Sequence, residues 1–183
     1  YYAGRIAEYG IGIPEAGFLN EKTIDFVSGK NDELPEVYNE RERQHLADVR
    51  GIAKKLKIIL YFLIGVFISL FLVSSLIVGI NNNLSNFAGI VFTYGCFLTI
   101  GLAAVLLILI NLNFPSAFDS FHTLLFQQGT YTFDPAKEII INLYPEQFFM
   151  DLGLKITKWV LLVSVTITII GMFLIAKSKK QKE

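Results

Sequence analysis

Two histidines, His45 and His122, are the residues of this chain best suited to acid–base chemistry, and carboxylates accompany both at helical spacing. Glu42 and Asp48 lie three residues to either side of His45, and Asp119 lies three residues before His122. Side chains three residues apart share one face of a helix, so each carboxylate could orient its imidazole or alter its charge. Histidine titrates near neutral pH and can both accept and return a proton. The pattern therefore indicates general acid–base catalysis, provided that the two histidines meet.

Other interpretations of the histidines are structural or depend on a metal ion. His45 could belong to a solvated, ion-paired helix face, and His122 could make a local hydrogen bond. Structural zinc usually takes four protein ligands and catalytic zinc three, whereas this chain has no HExxH motif and its single Cys96 falls in an apolar run. We therefore expect no metal ion and no cofactor, with two histidines and one carboxylate as the metal arrangement left open. Ser120 lies two residues before His122, on a different helix face, which disfavours a serine nucleophile.

The composition is that of an integral membrane protein. Hydrophobic residues make up 53% of the 183 residues, the mean hydropathy is +0.51, and no charged residue occurs from Ile58 to Phe118. A helix crosses the hydrocarbon core with about 20 apolar residues, and the asparagine-rich segment at 81–86 would be costly in lipid. The sequence therefore predicts an all-α membrane protein with three transmembrane helices, at about 57–80, 88–112 and 156–176.

The remaining sequence divides into two soluble segments. Residues 1–53 are expected to contain loops and short elements and then a C-terminal helix, outside a membrane domain at 54–183. The second segment, residues 113–154, is rich in phenylalanine and tyrosine and is predicted to be an amphipathic interfacial loop at the headgroup level. Because a pair of spans separates the two segments, both must lie on the same side of the membrane. The lysine-rich C-terminus favours an extracytoplasmic location for them.

Further polar residues in the two soluble segments are candidates for supporting roles. Tyr38, Asn39 and Arg41 could hydrogen-bond a developing oxyanion or a lipid headgroup. Asn39 could equally be the N-cap of the helix that follows it, with Glu42 at the reciprocal position of a capping box. Glu146 could be an active-site group or a helix cap. The formal net charge is zero, so nothing in the charge balance indicates a nucleic acid partner.

Four motifs in the soluble segments resemble those of a known family. YNERERQHLADVRG precedes the first span, and FDSFHTLLF, QQGTYTFDP and IINLYPEQFFMD follow the second span in that order. With this order and spacing, the chain resembles the Lit-type lipoprotein intramolecular transacylases of Gram-positive bacteria over nearly its whole length. Members of the family begin with one further transmembrane helix, which the resemblance leads us to expect before residue 1. Tyr131 stands where many relatives have tryptophan.

The resemblance implies an enzyme that acts on bacterial lipoproteins. The family moves the sn-2 acyl chain of a diacylglyceryl-modified N-terminal cysteine onto the α-amino group of that cysteine, which gives a lyso-form lipoprotein. The substrate would be a diacylated lipoprotein among membrane lipids, at the extracytoplasmic face of the bacterial cell membrane. His45 and His122 match the two motif histidines and would form the acid–base pair. The supporting set would be Tyr38, Asn39, Arg41, Glu42, Asp48, Asp119 and Glu146.

Two alternatives come from other functional classes. One is a noncatalytic membrane subunit whose aromatic loop binds lipid or a partner helix. The other is a small metal-dependent membrane hydrolase. The feature that favours the transacylase is the placement of two histidines on one side of the membrane, each with a carboxylate three residues away.

Overall fold

Five α-helices form most of the part of the chain that the structure describes. This computed structural model describes residues 13–79, 84–127 and 129–180 and contains no strand within those ranges. Three of the helices are long and apolar enough to cross a membrane. The prediction of an all-α membrane protein with three spans is therefore confirmed. In chain order the helices are α1 (Ile13–Ser28), α2 (Glu40–Gly79), α3 (Leu84–Leu125), α4 (Ile139–Leu143) and α5 (Glu146–Lys180).

The long helices extend beyond the predicted spans. The helix α2 reaches back to Glu40, because the sequence before the first span contains helix-forming residues and one glycine but no proline. The helix α3 continues past the second span to Leu125, with a kink at Asn113, whose φ of −161° and ψ of 84° are not helical. Pro115 accounts for the kink, since proline has no N–H to donate and its ring clashes with the carbonyl one turn earlier. Part of the predicted break at 81–86 lies outside the described residues.

The chain forms two compact units. The first unit combines Tyr1–Leu60 with Pro115–Phe149, and the second combines Tyr61–Phe114 with Met150–Glu183. Both histidines therefore belong to the first unit, which is assembled from two chain segments that are far apart in the sequence. Neither segment alone has enough apolar surface for an independent core, so the two must share one.

The core of the first unit is built from side chains of α1, α4 and the chain around the start of α2. In α1 the buried positions Ala16, Leu19, Thr23 and Phe26 follow the three-and-four spacing of one helix face. This buried stripe outweighs the low helix propensity of Gly17, so the segment forms a continuous helix of 16 residues where loops and short elements were expected. The buried cluster consists of Ala16, Leu19, Phe26, Tyr38, Leu46, Ile140 and Leu143.

A capping box fixes the start of α2, as the sequence predicts. The Glu42 N–H donates to Asn39 Oδ1 at 3.0 Å, and the Asn39 N–H donates to Glu42 Oε2 at 2.7 Å. The other carboxylate oxygen of Glu42 accepts the Ile140 N–H of α4 at 2.8 Å. Glu42 is 1% exposed, and each of its oxygens is satisfied by a backbone amide. One carboxylate thus ties α2 to α4, although the two residues are 98 positions apart in the chain.

Small residues bring α3 and α5 into backbone contact in the second unit. A Cβ atom added to Gly89 would lie 2.7 Å from the Gly171 carbonyl oxygen, and one added to Gly171 would lie 2.6 Å from Thr93 Oγ1. These distances leave no room for a side chain on either glycine. Helix association in lipid depends on close packing of this kind, because the lipid tails are as apolar as the side chains.

Replacing Gly89 with alanine is expected to destabilise the protein, and Gly101→Ala on the same helix is the matched control. The new Cβ at position 89 would press on the backbone of α5, and overpacking typically costs about 1–3 kcal/mol. No atom lies within 4 Å of a Cβ built on Gly101, so alanine there should be neutral or stabilising through its higher helix propensity. Thermal unfolding in detergent micelles measures the difference. Equal melting temperatures would contradict the helix contact.

Candidate active site

The two histidines lie side by side in the first unit. His45 stands on α2 shortly after the capped start and is 8% exposed, whereas His122 stands in the last turn of α3 and is half-buried. Their ring centroids are 6.3 Å apart, and the ring planes are inclined by 18°. The structure therefore brings together the two side chains to which the sequence assigns acid–base chemistry.

Aromatic side chains surround both imidazoles. The centroid of Phe126 lies 4.7 Å from that of His45 and 5.4 Å from that of His122, so this ring packs against both. Phe133 makes an edge-on contact with His45 at 5.2 Å. The rings around His122 include Phe118 at 4.1 Å, Tyr131 at 5.3 Å and Phe121 at 5.6 Å. These contacts cover the ring faces with apolar surface, which limits the access of water to the imidazoles.

A hydrogen bond fixes the tautomer of His122. Its Nδ1 atom lies 2.8 Å from the carbonyl oxygen of Phe118, one turn earlier on α3. A carbonyl oxygen only accepts hydrogen bonds, so Nδ1 carries the hydrogen and donates it. In the neutral ring the other nitrogen, Nε2, then holds the lone pair. His122 can therefore accept a proton at Nε2 without changing its tautomer.

Burial keeps His45 neutral at physiological pH. Removal of the imidazole from water is the largest cause of a pKa lowered from 6.5 to about 4; positive charge on His122 adds to the effect, and Asp48 opposes it. The Nδ1 atom of His45 is buried and has no hydrogen-bond partner among the described residues. His45 is thus a neutral ring that holds an extra proton poorly.

Three of the predicted supporting residues have structural roles. Tyr38 is buried in the core, and its hydroxyl shares a hydrogen bond of 2.7 Å with that of Thr23. Burial raises the pKa of the Tyr38 hydroxyl. Asn39 and Glu42 form the capping box, and both carboxylate oxygens of Glu42 are bound by backbone amides. These contacts account for all three residues without a role in orienting a histidine or binding a substrate.

The two aspartates that were expected to orient the histidines have different surroundings. Asp48 is half-buried and acts on His45 through its charge. Asp119 is exposed, and its carbonyl oxygen accepts the hydroxyl of Thr123, which is also hydrogen-bonded to the hydroxyl of Tyr131 at 2.9 Å. The backbone of Asp119 therefore helps to anchor an aromatic ring of the site, in addition to anything its carboxylate does.

Arg41 and Glu146, the remaining candidates, differ in their contacts. Arg41 Nη2 donates to the carbonyl oxygens of Gly129 and Thr132, and Nη1 forms an ion pair with Glu138 at 3.1 Å. Glu146 is exposed in the first turn of α5, where negative charge suits a helix N-terminus. Arg41 thus lies beside the segment 126–138 between α3 and α4, which is called the aromatic loop below. The position of Glu146 is explained by the favourable interaction of a negative charge with a helix N-terminus.

Sequence reasoning did not assign Phe126, Phe133 or Glu138 to the site. The phenylalanines were interpreted only as residues that hold the loop at the headgroup level, because their spacing does not reveal a contact with a histidine. Glu138 is 4% exposed and directly precedes three isoleucines, Ile139 to Ile141. A carboxylate next to so apolar a run was the signal in the sequence, since a buried charge needs a partner.

An open cavity of about 260 Å³ lies beside the aromatic loop. Its lining mixes side chains of α2 with loop residues and includes Glu40, Arg41, Gln44, Gly129 and Thr130. Within the described ranges, no group of three or more His, Cys, Asp or Glu side chains is arranged to hold a metal ion. The polar side chains that line the cavity carry a guanidinium, a carboxylate, an amide and a hydroxyl.

The titration of His45 can be measured alone, because His122→Gln leaves it as the single histidine of the chain. We expect a midpoint well below 6.5, since burial is the largest cause of the lowered pKa. It should exceed the His45 midpoint in the unmodified protein, because the variant removes the positive charge of His122. NMR shifts of the labelled imidazole in detergent, followed against pH, provide both values. A midpoint at or above 6.5 would contradict a buried His45.

Comparison with known proteins tests the family assignment. The family model described as lipoprotein intramolecular transacylase Lit matches residues 18–149, which is more than half of the chain. The in meso structure of the membrane-integral lipoprotein intramolecular transacylase Lit from Bacillus cereus is similar, with a TM-score of 0.80 and 26% sequence identity over 96% of this chain and 80% of that chain. Curated proteins give no match. The matched region contains both histidines, and this chain belongs to the Lit family of lipoprotein intramolecular transacylases, which makes it a membrane acyltransferase.

Proposed function

We propose that this protein moves the sn-2 acyl chain of a diacylglyceryl-modified N-terminal cysteine onto the α-amino group of the same cysteine. The name of the Bacillus cereus relative, a lipoprotein intramolecular transacylase, supports a lipoprotein substrate. The observation that carries the proposal is the pair of imidazoles, whose centroids lie 6.3 Å apart among aromatic rings. Two such groups can act together on one acyl group.

The reaction needs a base for the amine and a proton for the leaving group. An α-amino group has a pKa of about 7.7–8.0, so much of it is protonated at neutral pH. Once deprotonated, the nitrogen attacks the ester carbonyl and forms the C–N bond, and the C–O bond to glycerol breaks. The protonated amine loses two protons on becoming an amide: the first goes to solvent, and the second ends on the glycerol oxygen. The atoms therefore balance without a further reactant.

The two histidines have different parts in this reaction. His122 accepts the proton of the attacking amine at Nε2, where its tautomer leaves a lone pair, and returns it to the glycerol oxygen. His45 stays neutral, because its pKa of about 4 leaves the cation unpopulated at pH 7, and donates a hydrogen bond to the developing oxyanion. Their close approach lets one tetrahedral intermediate contact both rings.

The intramolecular nature of the transfer reduces what the enzyme must supply. The amine and the ester belong to one lipoprotein, and well-oriented intramolecular reactions reach effective molarities of about 10⁵–10⁸ M. A site that holds the two groups in an attack geometry and manages the protons is then sufficient. A covalent acyl-enzyme intermediate is unnecessary in this mechanism.

We also propose that the first unit lies at the extracytoplasmic face. The lysines in the last turn of α5, Lys177, Lys179 and Lys180, support a cytoplasmic end for that helix. Because the chain crosses the membrane three times, the start of α2 then lies on the opposite, outer side.

Cysteine labelling of intact cells tests this orientation. In a Cys96→Ala background, an impermeant maleimide should label Lys137→Cys in the loop before α4 and should leave Ser85→Cys at the start of α3 unlabelled until the cells are lysed. Both positions are exposed, so access across the membrane decides the result. Labelling of position 85 but not 137 would reverse the proposed orientation.

Removal of either imidazole is expected to abolish most of the acyl transfer. Glutamine at position 122 keeps hydrogen-bonding capacity but does not titrate, and loss of a general base costs about 10²–10⁴-fold in rate. Alanine at position 45 removes the donor to the oxyanion, and loss of such a donor costs about 10²–10³-fold. The double variant should be little slower than either single variant, because members of one catalytic unit are not additive. Ser120→Ala is the control, since its exposed hydroxyl donates to the Ser116 carbonyl of the preceding turn, and it should stay active.

Mass spectrometry of the N-terminus of a diacylated lipopeptide measures the product. Transacylation leaves the total mass unchanged but produces an amide-linked chain and a free glycerol hydroxyl. Wild-type rates in both histidine variants would refute the roles proposed for the imidazoles. Absence of the product with the unmodified protein would refute the proposed reaction itself.

A further inference from the structure

Arg41 and Glu138 form an ion pair next to the site, and the pair contacts the backbone on both sides of Phe133. Arg41 Nη1 lies 3.1 Å from Glu138 Oε1, and Arg41 Nη2 donates to the Thr132 carbonyl oxygen at 2.7 Å. Glu138 Oε2 accepts the Asp134 N–H at 2.6 Å. The peptide group before Phe133 is therefore held by the guanidinium, and the peptide group after it is held by the carboxylate.

The ring of Phe133 contacts both His45 and Arg41. Its edge-on contact places the Phe133 centroid 5.2 Å from the His45 ring, and the Arg41 guanidinium lies 5.6 Å from the same centroid. Glu138 is 4% exposed, so its charge has been removed from water and is compensated by Arg41 and the Asp134 amide. A buried carboxylate is an expensive way to fix a loop, which points to a use beyond stability.

We propose that Arg41 and Glu138 are positioning residues, which hold the Phe133 ring against His45 and so keep water from that imidazole. The catalytic meaning of this inference rests on the proposed function, because it matters to the reaction only if a neutral His45 takes part in acyl transfer. The contact itself does not depend on any substrate. It can therefore be tested without an activity measurement.

The charge of His45 responds to groups on three chain elements. Asp48 acts from α2 and His122 from α3, whereas the loop faces His45 with the apolar rings of Phe126 and Phe133.

Glu138 can change the pKa of His45 in two ways, which have opposite directions. As a direct negative charge it would favour the imidazolium, so its removal would lower the pKa of His45. As a positioning residue it maintains burial, so its removal would hydrate the ring and raise the pKa.

The direction in which the His45 pKa changes is measured in the His122→Gln background, where His45 is the single histidine and its NMR titration is unambiguous. Glu138→Gln and Glu138→Ala should move the midpoint upward, by at least about half a pH unit for alanine. Lys137→Gln is the matched control, because it breaks the neighbouring exposed ion pair with Asp134, 3.3 Å long, without touching the Phe133 contacts. It should leave the midpoint unchanged. If the alanine variant does not accumulate, the isosteric glutamine variant decides the test.

A double-mutant cycle with Phe133→Ala tests whether Glu138 changes the His45 pKa through the Phe133 contact. Phe133→Ala should itself raise the midpoint, and Glu138→Gln should then add little, because two residues that act through one contact are not additive. An unchanged or lowered midpoint in Glu138→Gln overturns the inference, and so does full additivity with Phe133→Ala.

Activity measurements separate this inference from the proposed function. With both histidines present, Glu138→Gln should lose several-fold more acyl transfer at about pH 5.5 than at about pH 8, because a hydrated His45 protonates at higher pH and its positive charge opposes the proton that His122 must accept. A raised midpoint together with unchanged pH dependence would keep the positioning role and reject the part proposed for His45. An unchanged midpoint with wild-type chemistry would reject the positioning role and keep the reaction.

Discussion

The carboxylate of Glu42 joins two chain segments that carry the two halves of the site. One carboxylate oxygen accepts the Asn39 N–H and completes the cap of α2, and the other accepts the Ile140 N–H at the start of α4. Hydrogen bonds to a charged group contribute about 1.5–3 kcal/mol each, and a buried carboxylate without them would be strongly destabilising. His45 follows Glu42 by three residues on α2, and the aromatic loop leads directly into α4. The spatial relation between His45 and the loop therefore depends on this side chain.

Burial gives the site its chemical character. Aromatic rings cover the faces of the imidazoles, and loss of hydration keeps His45 neutral while the Phe118 carbonyl selects the tautomer of His122. In the proposed reaction, the same enclosure limits hydrolysis, which would release a fatty acid where the amine should receive it. Arg41 and Glu138 hold the loop through backbone groups of Gly129, Thr132 and Asp134.

Local patterns in the sequence were sufficient for the three spans and for the cap of α2. The apolar runs predicted three spans, and the spacing of Asn39 and Glu42 predicted the capping box, because both features depend on residues within one or two helical turns. Span parity predicted that the histidines share one side of the membrane, but no spacing rule gives the 6.3 Å between their rings. The helix α1 was missed because its stability comes from tertiary burial rather than propensity. The pairing of Arg41 with Glu138 was missed because it is long-range, and a sequence read alone does not show which distant charges meet.

The contact between Gly89 and Gly171 determines how α3 and α5 can be aligned along their axes. A shift of α5 by one residue, which moves the helix about 1.5 Å along its axis and turns it by about 100°, would bring Ile170 or Met172 to the place that Gly171 occupies, and neither side chain fits where a single Cβ is too large. Apolar side chains elsewhere on the two helices tolerate such a slip, because lipid and leucine are equivalent surroundings for them. The two glycines therefore restrict this helix pair to one axial register, which uniform hydrophobicity by itself would leave free to vary.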